Sequence, residues 1–165
     1  MTQALGRKDS ANMPKLTLKD IHQFVFERFS EIKDMADLVK FHSINKYLLM
    51  AHNPNQLNKL GNIVANHEKL DISEILANYQ IELEKTFTFR PTVKSHSNTL
   101  QHILGHFSPD LTKSEKKYFL GVLENYRKGA VLVGDALEIL KECTEKYEKS
   151  YLSSQTYFLF FTNPQ

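Results

Sequence analysis

The sequence predicts an all-α fold, a single compact domain of about seven to eight helices behind a mobile N-terminal tail. Three observations carry this expectation. Apolar residues recur at three- and four-residue intervals along most of the chain, side-chain caps stand where those runs begin, and no convincing pair of alternating strands occurs. With 165 residues and 41% hydrophobic content, the chain can build one proper core and is too short for two independent ones.

Residues 1–14 are polar, mixed in charge and end at Pro14, the composition of a mobile tail. Thr17 followed by Asp20 has capping-box spacing, and Ile21, Phe24, Val25 and Phe29 then define a helix over about 18–33. A second helix, over about 35–51, is apolar nearly all round through Met35, Leu38, Phe41, Ile44, Leu48 and Leu49, and is expected at the centre of the fold. Asn53 serves as a cap and Pro54 as the first residue of a third helix that reaches about His67. Asp71 or Ser73 caps a fourth helix, to about residue 86. The stretch TFTFRPTVK is β-branched, aromatic and interrupted by proline, so it reads as a connector into a fifth helix over about 93–107. Ser108-Pro109-Asp110 is a turn, and Thr112 with Glu115 boxes a sixth helix ending at Arg127 or Lys128 before Gly129. A seventh helix over 131–149 and a short aromatic segment from Ser150 complete the chain.

Composition excludes several classes of function. One cysteine, Cys143, rules out an internal disulfide, a zinc ribbon or an iron–sulfur site built from this chain alone. No Gly-rich phosphate loop is present, and no GxSxG elbow marks a nucleophile. The longest apolar run is far below a membrane span and the N-terminus lacks the apolar centre of a secretory signal, so a cytoplasmic location is expected. No cofactor is expected.

Charge is segregated along the sequence. Between Asp37 and Glu68, and again between Glu84 and Asp110, there is no acidic residue, and these two windows hold six of the seven histidines. Lys40, Lys46 and Lys59 give the first window +3, and Lys85, Arg90 and Lys94 give the second +3; with the whole chain at +2, the remainder carries −4. If the windows meet in space, they form a positive, histidine-rich surface suited to an anion.

Within the windows, His42 and Lys46 are four residues apart, in the same helical stripe as Met35, Leu38 and Leu49. Lys46 then either contacts a phosphate or carboxylate, aided by His42, or snorkels from a helix edge while His42 bonds a carbonyl. In the fifth helix Leu100, Ile103, Leu104 and Phe107 make one face, while Asn98, Gln101, His102 and Gly105 make the other, with His106 at its margin. That polar face holds neutral hydrogen-bonding groups and a glycine, where a solvated face would carry Glu and Lys, so it reads as a contact surface or as a polar face packed on another helix. His102 and His106 have two-histidine metal spacing without a third ligand, and no metal is expected. Tyr126, Arg127 and Lys128 cap the sixth helix by charge, yet aromatic and basic groups together also suit looped nucleic acid.

Five blocks in order, FHSINKYLLMAH at 41–52, LG at 60–61, NTLQHILGHF at 98–107, YRKG at 126–129 and YLSSQTY at 151–157, resemble the YbgA-like bacterial family, the domain of unknown function numbered 1722. The resemblance covers about residues 36–158. Members of that family stand alone or attached to a desulfurase-like domain acting on thiolated uracil or on thiouridine in transfer RNA. The resemblance implies that the attached domain supplies the cysteines and iron–sulfur chemistry, and that this type of domain holds the RNA. It selects His42, Lys46, Tyr47 and His52 from the first block, Asn98, Gln101, His102 and Gly105 from the second, and Tyr126 with Arg127 from the third. The chain departs from the family pattern where Leu132 and Ala136 replace prolines, where His106 replaces a tyrosine, and in carrying no desulfurase domain.

The expected function is a stand-alone RNA-binding module, for transfer RNA, working with a separate desulfurase-like catalytic protein in thiouridine removal or related RNA metabolism. Phosphates would be met by about three to five of Lys40, Lys46, Arg90, Lys94 and Arg127. Two other readings stay open: a small metal-free enzyme with His42 or His102 as acid–base and Lys46 or Arg127 holding an anionic substrate, and a helical adaptor whose positive face meets an acidic protein.

Overall fold

A computed structural model describes residues 16–147 and 150–161, so the tail expected over 1–14 lies outside the described residues. The described residues are all-α, with ten α-helices, eight of them seven residues or longer, and no strand. The helices are α1 (Leu18–Ser30), α2 (Met35–Ile44), α3 (Lys46–His52), α4 (Pro54–Ala65), α5 (Ile72–Thr88) and α6 (Val93–Phe107), followed by α7 (Lys113–Arg127), α8 (Val133–Lys146), α9 (Ser150–Ser153) and α10 (Thr156–Phe161). A single 3-10 turn, Ser108–Asp110, links α6 to α7.

The caps expected from sequence set most boundaries. Thr17 and Asp20 exchange hydrogen bonds at the start of α1, and Thr112 and Glu115 do so at the start of α7. Asn53 Oδ1 accepts from Asn55 N at 2.9 Å and Gln56 N at 3.1 Å, with Pro54 opening α4. Asp71, and not Ser73, caps α5 by accepting from the Glu74 amide. Gly129 follows α7 at φ 79°, the left-handed conformation that closes a helix C-terminus at no side-chain cost.

Two boundaries differ from the expectation. The fourth predicted helix continues to Thr88, taking in the first three residues of the connector. More consequentially, the single helix predicted over 35–51 is two helices broken at Asn45, which is 2% exposed and has φ −100° and ψ 2°. The break is held by the far end of the chain. Gln155 Nε2 donates to the Ser43 carbonyl at 2.7 Å while its Oε1 accepts from the Tyr47 amide at 3.3 Å, so one side chain caps the end of α2 and the start of α3. Thr156 Oγ1 donates to Asn45 Oδ1 at 2.7 Å, and Asn45 Nδ2 donates to the Phe41 carbonyl at 2.9 Å. Periodicity could not reveal this, because the groups that end α2 lie more than a hundred residues away.

Only α3 has the all-round burial expected of the whole 35–51 segment. Tyr47, Leu48, Leu49, Met50, Ala51 and His52 are all buried, whereas α2 leaves Val39 49% exposed. The short α3 packs against α4, α6 and α10, with α5 closing on α4, α7 on α6, and α8 against α9 and α10. At the far side, Tyr147 and Lys146 at the end of α8 reach the Glu115 carboxylate at 2.8 and 3.1 Å, tying α8 to the α7 cap and holding that carboxyl down to about 2 through these bonds.

Gln155→Ala removes two bonds from a buried junction, leaving the Tyr47 amide without its acceptor and the Ser43 carbonyl without its short 2.7 Å donor. Urea unfolding is expected to show a loss of about 2–3 kcal/mol, and the exposed Gln101→Ala a change within about 0.5 kcal/mol. Gln155→Glu keeps an acceptor for Tyr47 but sets an acceptor against the Ser43 carbonyl, and is expected to be at least as damaging; equal stability of all three variants would remove the clasp from the account.

Candidate functional site

The two acid-free windows meet. Helix α3, from the first, lies against α6, from the second, and His52 Nδ1 donates to the Phe89 carbonyl at 2.7 Å across the junction. The helices run antiparallel. His52, ending α3, bonds Phe89 just ahead of α6, while before the start of α3 the Ser43 carbonyl meets Tyr151, whose ring faces His106 near the end of α6. The start of α6 also meets the end of α7, through His96 facing the Tyr126 ring at 6.4 Å.

The six window cations are all exposed, and among the described residues only Lys85 of the six forms an ion pair, with Glu82 at 3.0 Å. The break at Asn45 takes Lys46 out of the apolar stripe and into solvent, with its Nζ 5.6 Å from the centre of the Tyr47 ring. Lys46 is thus exposed, as the helix-edge reading expects, while His42 bonds a phenol where that reading expects a carbonyl. His42 is half-buried and shares a 2.9 Å hydrogen bond with the Tyr79 hydroxyl; burial first, and the Lys46 charge second, lower its pKa.

The α6 polar face is solvent-facing. Gln101, His102, Gly105 and His106 are exposed and Asn98 is half-buried, while Leu100, Ile103 and Phe107 enter the core. A Cβ at Gly105 would meet nothing within 4 Å, so this glycine serves no internal packing. Lys94, Asn98, Gln101, His102 and Gly105 fall on one stripe, with Arg90 just ahead of it and exposed. Arg127 is partly exposed and paired with Glu124 at 3.7 Å.

Three residues selected with the site point inward. Tyr47 is 3%, His52 3% and Tyr126 8% exposed, so their side chains shape the core rather than a contact surface. His52 belongs to an internal histidine group that the sequence reading missed. His22 stacks on Phe87 at 4.1 Å and lies 5.1 Å from the His52 ring, and His96 shares a hydrogen bond with the Tyr157 hydroxyl. Because a carbonyl only accepts, His52 carries its proton on Nδ1, leaving Nε2 a buried acceptor without a partner among the described residues. The clue for His96 was its place in the α6 apolar stripe, four residues before Leu100. No such clue marked His22, whose burial comes from α5. Among the described residues there is no group of three or more metal-ligating side chains.

Neither of the two best-defined cavities coincides with the selected residues. One, of about 20 Å³, is apolar, between α6, α7 and α8; the other is an open groove along α7 beside Tyr118 and Asn125. No helix among the described residues is long and apolar enough to cross a membrane.

An all-α single-chain module with a cationic, acid-free face is the class that fold and site define. The chain belongs to the family described as "Protein of unknown function (DUF1722)", whose model matches residues 46–161, from the first residue of α3 to the last of α10. It is 26% identical over 122 residues to "Uncharacterized protein YbgA" of Escherichia coli (strain K12), covering 73% of this chain and 72% of that protein. No solved structure matches the chain.

Burial, the largest cause in each case, lowers His52 and His96 from 6.5 to about 4. The unfolded chain therefore takes up protons below pH 6.5 that the fold refuses until about 4, so this contribution to stability is complete above 6.5 and is lost as pH falls towards 4. The urea midpoint is expected to fall across that interval, by on the order of 3 kcal/mol of stability per histidine. His52→Asn, which keeps a donor for the Phe89 carbonyl, should flatten the profile; an unchanged slope in this variant would contradict the assignment.

Proposed function

We propose that this chain is an RNA-binding helical module, for transfer RNA, that acts with a separate desulfurase-like catalytic protein in cytoplasmic thiouridine removal or related RNA metabolism. The observation that carries the reading is the α6 face. Lys94, Asn98, Gln101, His102 and Gly105 form one stripe on a helix with no acidic residue, Arg90 precedes it, and the helix that Lys46 opens packs against it. At fifteen residues α6 is about 20 Å long, with Lys94 and the preceding Arg90 offering phosphate contacts at its start and hydrogen-bonding groups continuing along the stripe. A surface of neutral amides and imidazoles lets sugar and base edges approach without facing a carboxylate, and the open side of Gly105 permits close backbone approach.

The net charge of +2 fits a local contact face rather than a general basic coat. Arg127, engaged with Glu124, contributes less than the unpaired Arg90, Lys94 and Lys46. With three phosphates met, log affinity for transfer RNA is expected to fall against log salt with a slope of about −2 to −3 between roughly 50 and 200 mM. Lys94→Glu and Arg90→Glu should each weaken binding and make the slope shallower by about one. Absence of binding, or a slope near zero, eliminates the reading.

A further inference from the structure

Resting on the RNA-binding reading, we infer that Tyr151 is a stacking platform for an unpaired base, with Lys46 holding the adjacent phosphate, so that the module takes looped or single-stranded RNA in preference to duplex. Tyr126, the ring that the sequence offered for stacking, is 8% exposed and packed against His96, and no base can reach its face. Two exposed aromatic side chains flank the joined windows, Phe89 before the start of α6 and Tyr151 beside its end, and of these Tyr151 faces the exposed histidine His106. Tyr151 is 38% exposed; its hydroxyl donates to the Ser43 carbonyl at 3.4 Å, and its ring lies 6.3 Å from that of His106 at a 37° tilt. The ring is thus held at one edge by the α2 terminus and flanked on one side by α6, which fixes its orientation without covering it.

The charges around it suit one occupant. Lys46 is exposed and follows by three residues Ser43, whose carbonyl the Tyr151 hydroxyl contacts, so a cation belongs to the chain segment that meets the platform. His106 and His102 continue the surface along α6, one turn apart, with hydrogen-bonding nitrogens. A ring, a neighbouring cation and neutral hydrogen-bonding groups are what a splayed nucleotide needs: base on ring, phosphate on ammonium, base edge on imidazole. A duplex, whose bases are stacked on one another, gains only the phosphate contact. Tyr118 is more exposed, at 58%, but stands on a helix that carries Glu115 and Glu124, and serves as the control.

The test compares binding of an RNA hairpin with 2-aminopurine in its loop and of a blunt duplex of equal length. The wild-type chain is expected to favour the hairpin and to change the 2-aminopurine fluorescence on binding. Tyr151→Ala should lose about tenfold or more in hairpin affinity and abolish the fluorescence change while leaving duplex affinity in place. Tyr151→Phe, which keeps the ring and loses only the long hydroxyl contact, should bind as wild type, as should Tyr118→Ala. Circular dichroism melting confirms that each variant is folded. Equal affinity for hairpin and duplex, or insensitivity to Tyr151→Ala with RNA binding intact, overturns the stacking platform alone; no binding of either RNA by the wild-type chain overturns the RNA-binding reading with it.

Discussion

The arrangement of the molecule depends on the clasp between Gln155–Thr156 and the helix break at Asn45. A helix break in a protein interior leaves carbonyls at one end and amides at the other without partners, and each such group is costly if left alone. Gln155 satisfies one of each with a single amide, and Thr156 secures Asn45, whose own amide returns to Phe41. The break lets α3 leave the direction of α2 and lie antiparallel on α6. That packing joins the two acid-free windows, turns Lys46 into solvent, and brings Tyr151 beside His106. A continuous helix over the same residues would have carried Lys46 into the core with Leu38 and Leu49.

The histidines of the windows divide by burial into two populations with different physical roles. His52 and His96 are buried, with rings packed on Phe87, Tyr126, Tyr157 and Phe161 and Nδ1 atoms bonded to a carbonyl and a phenol, and the half-buried His42 bonds the Tyr79 phenol. His102 and His106 face solvent on α6. The internal set explains why histidine is concentrated in these segments without invoking a ligand, and the exposed set is what remains available for one. Absence of acid has two causes as well: α3 excludes charge because it is buried, while the exposed stripe of α6 has no such reason, which is why α6 carries the functional argument.

The family match from Lys46 to Phe161 begins one residue after the break at Asn45 and ends on the helix that opens with Thr156. The matched segment therefore contains α3, its packing partners α4, α6 and α10, and the side chains of Gln155 and Thr156, while the carbonyl that Gln155 caps, on Ser43, lies just before it. Leu132 is the residue that precedes α8. Its amide donates to Asp135 at 2.8 Å, so a helix start that proline would leave donor-free is here satisfied by a carboxylate.

By itself the sequence determined the helical class, the caps at Thr17, Asn53 and Thr112, the stop at Gly129 and the polar stripe of α6, because each of these is a local matter of spacing, dihedral preference or side-chain-to-backbone bonding within a few residues. It also marked the charge segregation, which is a property of order along the chain. Only the tertiary structure decided which marked residues face outward. Tyr47, His52 and Tyr126 are buried by helices distant in sequence, Lys46 is freed by a break whose partners are Gln155 and Thr156, and Tyr151 gains its position from Ser43 and His106. The physical reason is common to all of them: burial and partner choice depend on contacts between segments far apart in sequence, to which helical periodicity is blind.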